Sequence, residues 1–170
     1  NAGSGIYING EAGSSSGENS KDVYLNGTYI EDTELTVDSS RLLSDIVNPY
    51  NANIIIQGTP GGSDGKIENS TGTYIERSKI KSKGGINILA NGTQAVRNAD
   101  ILITKGIDIG ESELFTSAGQ ISIDGTGGSG KSLELSSGVE ISKTSLRASS
   151  IKISGTGGRT TKLKNSDTSV

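Results

Sequence analysis

Residues 125–132, Gly-Thr-Gly-Gly-Ser-Gly-Lys-Ser, satisfy the phosphate-loop pattern G-x-x-x-x-G-K-[ST] at every position. The chemistry it would offer is a cradle of backbone amides around a nucleotide phosphate, with Lys131 reaching toward it. That chemistry needs the loop to open a helix, whose free amides and dipole hold the anion. Here Ile121-Ser-Ile123 leads in, but Leu133-Glu-Leu135-Ser-Ser-Gly138 follows and reads as a strand. Two further segments, GTPGGSDGK (58–66) and GTGGRTTK (155–162), are variants of the same turn, and neither fits the pattern. The expectation is a glycine-rich turn with a solvated Lys131 and no nucleotide.

Other chemistries are narrowed by absence. The chain has no Cys, His or Trp. No Ser-His-Asp or Cys-His nucleophile can be assembled, and no Cys/His zinc site. Two groups of carboxylates, Glu31/Asp32/Glu34 and Glu111/Glu113, have the residue type used in glycoside chemistry. Their alternation marks them as outward, solvated positions, and one Phe with five Tyr leaves few platforms for a sugar ring. GGSDG (61–65) occurs once and reads as a turn, not as a calcium repeat. No catalytic residue, metal or cofactor is assigned, and an enzyme is not expected. With a net charge of −3 and no basic segment, no nucleic-acid partner is expected either.

Three sequons remain, at Asn26, Asn69 and Asn91. Asn26 and Asn91 are the candidates for glycosylation. Asn69 falls where related segments carry Ile103 or Leu135, which points it inward, toward an Asn ladder with positions such as Asn165. The segment 38–53, DSSRLLSDIVNPYNAN, departs from all periodicity around it. Capping serines, helical apolar spacing and a stop at Asn48-Pro49 make it a short helical or looped insertion. Insertions on a regular scaffold are common binding elements. Arg41, Asp45, Asn48 and Tyr50 are therefore the candidate ligand-binding residues, the alternative being a lid over apolar side chains.

The elements that must position these residues are read from a repeat. Ile at 21 against Leu at 11, with 25 Gly and 2 Pro, favours short strands and tight turns. I-x-I-x-[GA] recurs at Ile6, Ile54, Ile86, Ile121 and Ile151. A second series is anchored at Gly27, Gly72, Gly106 and Gly138, spaced by 45, 34 and 32 residues. Three residues beyond each anchor stands Ile30, Ile75, Ile109 or Ile141, and eight beyond stands Leu35, Ile80, Leu114 or Leu146. Before each anchor lies an alternating pair: Val23/Leu25, Ile67/Asn69, Ile101/Ile103 and Leu133/Leu135. Each unit thus holds about three strands and cannot bury its own apolar row, whereas stacked units can. An antiparallel sandwich also uses short strands, but it does not require one register to recur. The expected fold is all-β: a parallel β-helix (solenoid) of about five coils of 30–35 residues, one flanking insertion at 38–53, and a length of about 25 Å at the spacing of neighbouring strands. The chain, which opens on Asn1-Ala-Gly, reads as a single β-helical segment of a longer protein, with no apolar run near the roughly 18 residues of a membrane helix.

The stretch GVEISKTSLRASSIKISG (138–155) resembles the coils of filamentous-haemagglutinin-like exoproteins and the related high-molecular-weight adhesins of two-partner secretion. The likeness is one of repeat style and covers nearly the whole chain. It implies a right-handed β-helix, secretion to the cell surface of a Gram-negative bacterium through an outer-membrane transporter partner, and adhesion to a host-cell surface glycan or protein. A polysaccharide-active β-helix enzyme and a purely structural spacer are the alternatives.

Overall fold

The computed structural model describes residues 5–13, 23–38, 53–62, 66–93, 100–130 and 133–159. Among them there are thirteen strands and no helix. The strands fall into three parallel sheets. The first contains β1 (Ile6–Glu11), β4 (Ile54–Thr59), β7 (Ile86–Asn91), β10 (Gln120–Thr126) and β13 (Ser150–Thr156), neighbours in that order. The second contains β2 (Val23–Glu31), β5 (Ile67–Glu76), β8 (Ile101–Gly110) and β11 (Leu135–Ser142). The third contains β3 (Glu34–Val37), β6 (Lys79–Ser82), β9 (Glu113–Thr116) and β12 (Ser145–Arg147). The chain visits the sheets in turn, and each pass adds one parallel strand to each. This stacking is compatible with a β-helix or solenoid.

The register follows the repeat. Ile6, Ile54, Ile86, Ile121 and Ile151 form one column, and Ile8, Ile56, Ile88, Ile123 and Ile153 the next. Ile30, Ile75, Ile109 and Ile141 align across the second sheet, and Leu35, Ile80, Leu114 and Leu146 across the third. One alignment differs from expectation. Leu25 stands opposite Ser70, not Asn69, because the pairing shifts between Val23 and Tyr24. From Val23 to its anchor Gly27 is 27 − 23 = 4 residues; from Ile67 to Gly72 it is 72 − 67 = 5. The anchors hold register, so the deficit is absorbed upstream as a bulge.

The anchors hold because they are where two sheets touch. A Cβ on Gly106 would stand 2.5 Å from Gly138 O and 2.6 and 2.7 Å from Thr126 N and O, all backbone atoms. Gly10, Gly58 and Gly125 of the first sheet press in the same way against the carbonyls of Gly27, Gly72 and Gly138. The anchor column of glycines faces a first-sheet column that is glycine except at Ala90, and the two together pinch the interior into two compartments. The larger holds the isoleucine columns, including the fully buried Ile54, Ile56, Ile75, Ile109 and Ile123. The smaller holds Leu25, Ile67 and Ile101, with Ala12 and Leu133 packed against them. Each fully buried isoleucine contributes about 1.5–3 kcal/mol relative to exposure. The second strand of each pass runs unbroken through its anchor glycine, while the side chains on either side of it serve different compartments.

The corner between the second and third sheets recurs with equal regularity. Asp32, Arg77, Glu111 and Lys143 each lie five residues past an anchor glycine, and all four have positive φ, 48°, 46°, 48° and 47°. Such a conformation is costly for residues with a Cβ. A hydroxyl side chain follows each one and holds the corner. Thr33, Ser78 and Ser112 donate their hydroxyls to the carbonyls of Glu31, Glu76 and Gly110 at 2.7 Å, and Thr144 to Ser142 at 2.8 Å. The same hydroxyls link neighbouring strands: the Thr33 amide donates to Ser78 Oγ (3.1 Å), Ser78 to Ser112 Oγ (3.1 Å) and Ser112 to Thr144 Oγ1 (3.3 Å).

Candidate functional site

Alternation leaves every second residue of each strand outside the compartments, so the candidate sites are rows of outward side chains. The row two residues past the anchors is Tyr29, Tyr74, Asp108 and Glu140. The two tyrosine rings stack with centroids 5.0 Å apart. Each hydroxyl donates 2.6 Å to a carboxylate, Tyr29 to Glu31 and Tyr74 to Glu76, and these bonds raise both phenol pKa values. Lys105 lies 2.7 Å from Asp108 and 2.9 Å from Glu140. Burial pulls the Lys105 pKa down, but the hydrogen bonds to the two carboxylates outweigh it, and the net shift is upward.

At the corner, Arg77 contacts Glu31, Asp32 (2.8 Å) and Glu76 (3.0 Å). Hydrogen bonds to Asp32 and Glu31 hold its pKa above the ordinary value. The carboxyl of Glu31 is held low by the hydroxyl of Tyr29 and then by Arg77, and that of Asp32 by Arg77. Lys143 sits 2.8 Å from Glu111, lowering the pKa of the acid and raising its own. The carboxylates at 31, 32 and 111 are therefore spent on cations from neighbouring strands.

The row nine residues past the anchors is different. It runs Thr36, Lys81, Phe115, Arg147 across the third sheet. Phe115, the single phenylalanine, is 38% exposed. It lines an open cavity of about 250 Å³ together with Thr36, Asp38, Lys81 and Lys83. Among the described residues Lys81 forms one ion pair, a long one, 3.5 Å to Glu34, between side chains 38% and 60% exposed. An apolar ring flanked by cations on an open face can take a ligand with an apolar surface and a negative group. A second groove, of about 340 Å³, crosses the first sheet and is lined by Asn9, Gln57, Leu89, Asn91, Asp124 and Thr126, a set suited to hydrogen bonding.

The residues singled out from the sequence are placed as follows. Arg41, Asp45, Asn48 and Tyr50 lie outside the described residues, as does Lys131. The insertion departs at Asp38, which lines the Phe115 cavity, so that candidate segment starts at its rim. Asn26 and Asn91 are exposed, and Asn91 lines the polar groove. Asn69 is half-buried and its Oδ1 has no hydrogen-bond partner among the described residues. Its neighbours among the described residues are Tyr24 and Ile103, and Asn165, its expected ladder partner, lies outside them. In the glycine-rich turn the amides are already committed. Gly127 donates to Thr156 O (2.7 Å), Gly128 to Thr104 Oγ1 (3.2 Å), Ser129 to Thr93 O (2.9 Å) and Gly130 to Arg159 O (3.2 Å). The chain then enters β11, a strand.

Sequence reasoning did not single out Phe115, Lys81 or Lys83. The available signal was position: Lys81, Phe115 and Arg147 each directly follow a member of the Leu35-Ile80-Leu114-Leu146 column, so alternation turns all three outward. Comparison with family models, curated proteins and solved structures returns no match.

Proposed function

We propose that this chain is a section of a bacterial surface or secreted adhesin, a right-handed β-helix of about five coils that binds a host-cell glycan or protein through its outer faces. Handedness is supported by the strong preference of parallel crossovers for the right-handed sense, and coil number by the five strands of the first sheet. The adhesive role rests on the likeness to exported adhesins of two-partner secretion, which brings with it a Gram-negative cell surface and an outer-membrane transporter partner. The observation that carries the binding reading is Phe115, exposed in a cavity with Lys81 and Lys83, where the 38–53 insertion departs. The ligand class that suits this face is an acidic glycan, its apolar ring surface on Phe115 and its carboxylate or sulfate at the lysines.

A glycan array probed with the intact chain tests this. Binding to acidic glycans is expected, and Phe115→Ala should weaken it by about 1–2 kcal/mol, roughly five- to thirtyfold in Kd. Binding that Phe115→Ala leaves unchanged would move the site to another face. Absence of binding to every glycan and host-cell surface would favour the structural spacer, and shortening of any polysaccharide the enzyme.

A further inference from the structure

The outer face of the first sheet carries a groove that the Phe115 cavity does not touch. Alternation turns Ile56, Ile88 and Ile123 into the interior and leaves Gln57, Leu89 and Asp124 outside, aligned in one column. Two residues on, Asn91 stands opposite Thr126 in a second column. Between the two columns Gly58, Ala90 and Gly125 turn inward, to the pinch. The columns are therefore roughly 6.6 Å apart, two residues of parallel strand. The open groove they flank holds about 340 Å³, within the size range of small-ligand sites. β4, β7 and β10 each have a parallel neighbour on both sides, so this groove is a feature of the flank of the stack.

The backbone of these strands is committed to its ladder, so a ligand here is read by side chains. Gln57 Oε1 accepts from the Tyr7 hydroxyl at 2.9 Å, which leaves both hydrogens on Nε2 as donors for a ligand. Asn91 and Asp124 are exposed, and among the described residues no hydrogen bond or ion pair ties either side chain. Asn91 offers donors and an acceptor, and Asp124 two acceptor oxygens. Leu89, half-buried between Gln57 and Asp124, supplies apolar contact. This combination matches a saccharide. Its hydroxyls donate to a carboxylate and accept from amides, while the C–H face of its ring covers an aliphatic side chain. Among the described residues lining the groove, Asp124 is the one charged side chain. An anionic ligand is repelled there and a neutral one is not.

We propose that this groove binds a neutral saccharide of mono- or disaccharide size. Asp124 accepts from its hydroxyls, Gln57 and Asn91 donate to its oxygens, and Leu89 lies against its ring. The site is separate from the acidic-glycan site at Phe115, which is on the third sheet and is lined by lysines. The two select ligands of different charge, and either fails without the other.

The side-chain amide resonances of the intact, isotope-labelled chain, followed by heteronuclear NMR, are the test. The probes are lactose, maltose and diacetylchitobiose, set against sialyllactose, which is lactose carrying a carboxylated sugar. Titrated to about 20 mM, at least one neutral probe should give saturable shifts of the Gln57 and Asn91 side-chain amides, with a Kd of about 1 mM or below. Sialyllactose should give none of comparable size. Asp124→Ala removes the carboxylate from an exposed position, where the fold does not depend on it, and should weaken binding by about tenfold. Lys66→Glu, whose native side chain pairs with Glu68, is the control and should change nothing. The absence of saturable shifts with all the neutral probes overturns the proposal. So does sialyllactose shifting the same amides with equal affinity, and so does a Kd that Asp124→Ala leaves unchanged.

Discussion

Replacing Gly106 by Ala isolates the feature that organises the interior. Its added Cβ would meet Gly138 O at 2.5 Å and Thr126 N and O at 2.6 and 2.7 Å. Ordinary contacts begin about 0.7–0.9 Å further out, and none of the three atoms belongs to a side chain that can rotate away. Relief requires the first and second sheets to separate locally by that amount. A gap of about 0.5–1 Å forfeits a quarter to a half of each dispersion contact across it, which places the cost near the upper end of the 1–3 kcal/mol typical of overpacking. Alanine also restricts the unfolded chain, which returns about 0.4–1 kcal/mol. The expected net loss is about 2 kcal/mol, or about 4–8 °C in Tm for a chain of this length. The assay is thermal and urea unfolding followed by far-ultraviolet circular dichroism. Gly13→Ala is the matched control. Among the described residues nothing lies within 4 Å of its new Cβ, and its φ is not positive, so the unfolded-state gain stands alone and stability should rise slightly. Equal effects of the two substitutions would refute the pinch as the reason for the glycine columns.

Two further outcomes are expected. Asn87 is 1% exposed and neither amide atom of its side chain has a partner among the described residues, so near-isosteric Asn87→Leu should stabilise by about 1–3 kcal/mol, read as a higher urea midpoint at unchanged slope; a lower midpoint would mean that the amide is satisfied. The carboxyl pKa values of Glu31, Asp32 and Glu111 are lowered in the folded chain. The unfolded chain therefore binds more protons in acid, and their contribution is present above the ordinary carboxylate range of about pH 4 and is lost as pH falls through the lowered values. Tm should drop in that window, less so in high salt, and Arg77→Leu should flatten the drop; an unchanged acid profile in that variant would show the corner charges to be uncoupled.

The apolar columns were legible because they obey two constraints at once, period-2 alternation within a strand and a fixed offset from an anchor glycine. Ile30, Ile75, Ile109 and Ile141 satisfy both without a gap, and the pairing follows them. The slip at Leu25 was legible in the arithmetic of its distance to Gly27, but alternation alone favours the wrong pairing. The positive φ of Arg77 and Lys143 has no local sequence signal, since neither is a residue that favours that region. Its signal is the column after it, Thr33, Ser78, Ser112 and Thr144, whose regularity emerges only once the passes are aligned. The 38–53 segment has no second copy in the chain to set beside it, so spacing could not fix what Arg41, Asp45, Asn48 and Tyr50 face.

The same alignment ranks the outer rows as places for a ligand. The interior constrains alternate residues only, so the rows two, five and nine residues past the anchors are free to carry unrelated side chains. In the row at two, stacked tyrosines are tied to Glu31 and Glu76, and Asp108 and Glu140 to Lys105. In the row at five, Asp32 and Arg77, and Glu111 and Lys143, neutralise one another. A ligand binding to either row must first displace intramolecular partners and recovers only the difference. In the row at nine, Phe115 is exposed in a cavity, and its cross-strand neighbour Lys81 has, among the described residues, one long contact, to a largely exposed Glu34. There a ligand gains the apolar contact with little to displace, which is why the third sheet, and neither of the other two rows, is the face on which adhesion is to be sought.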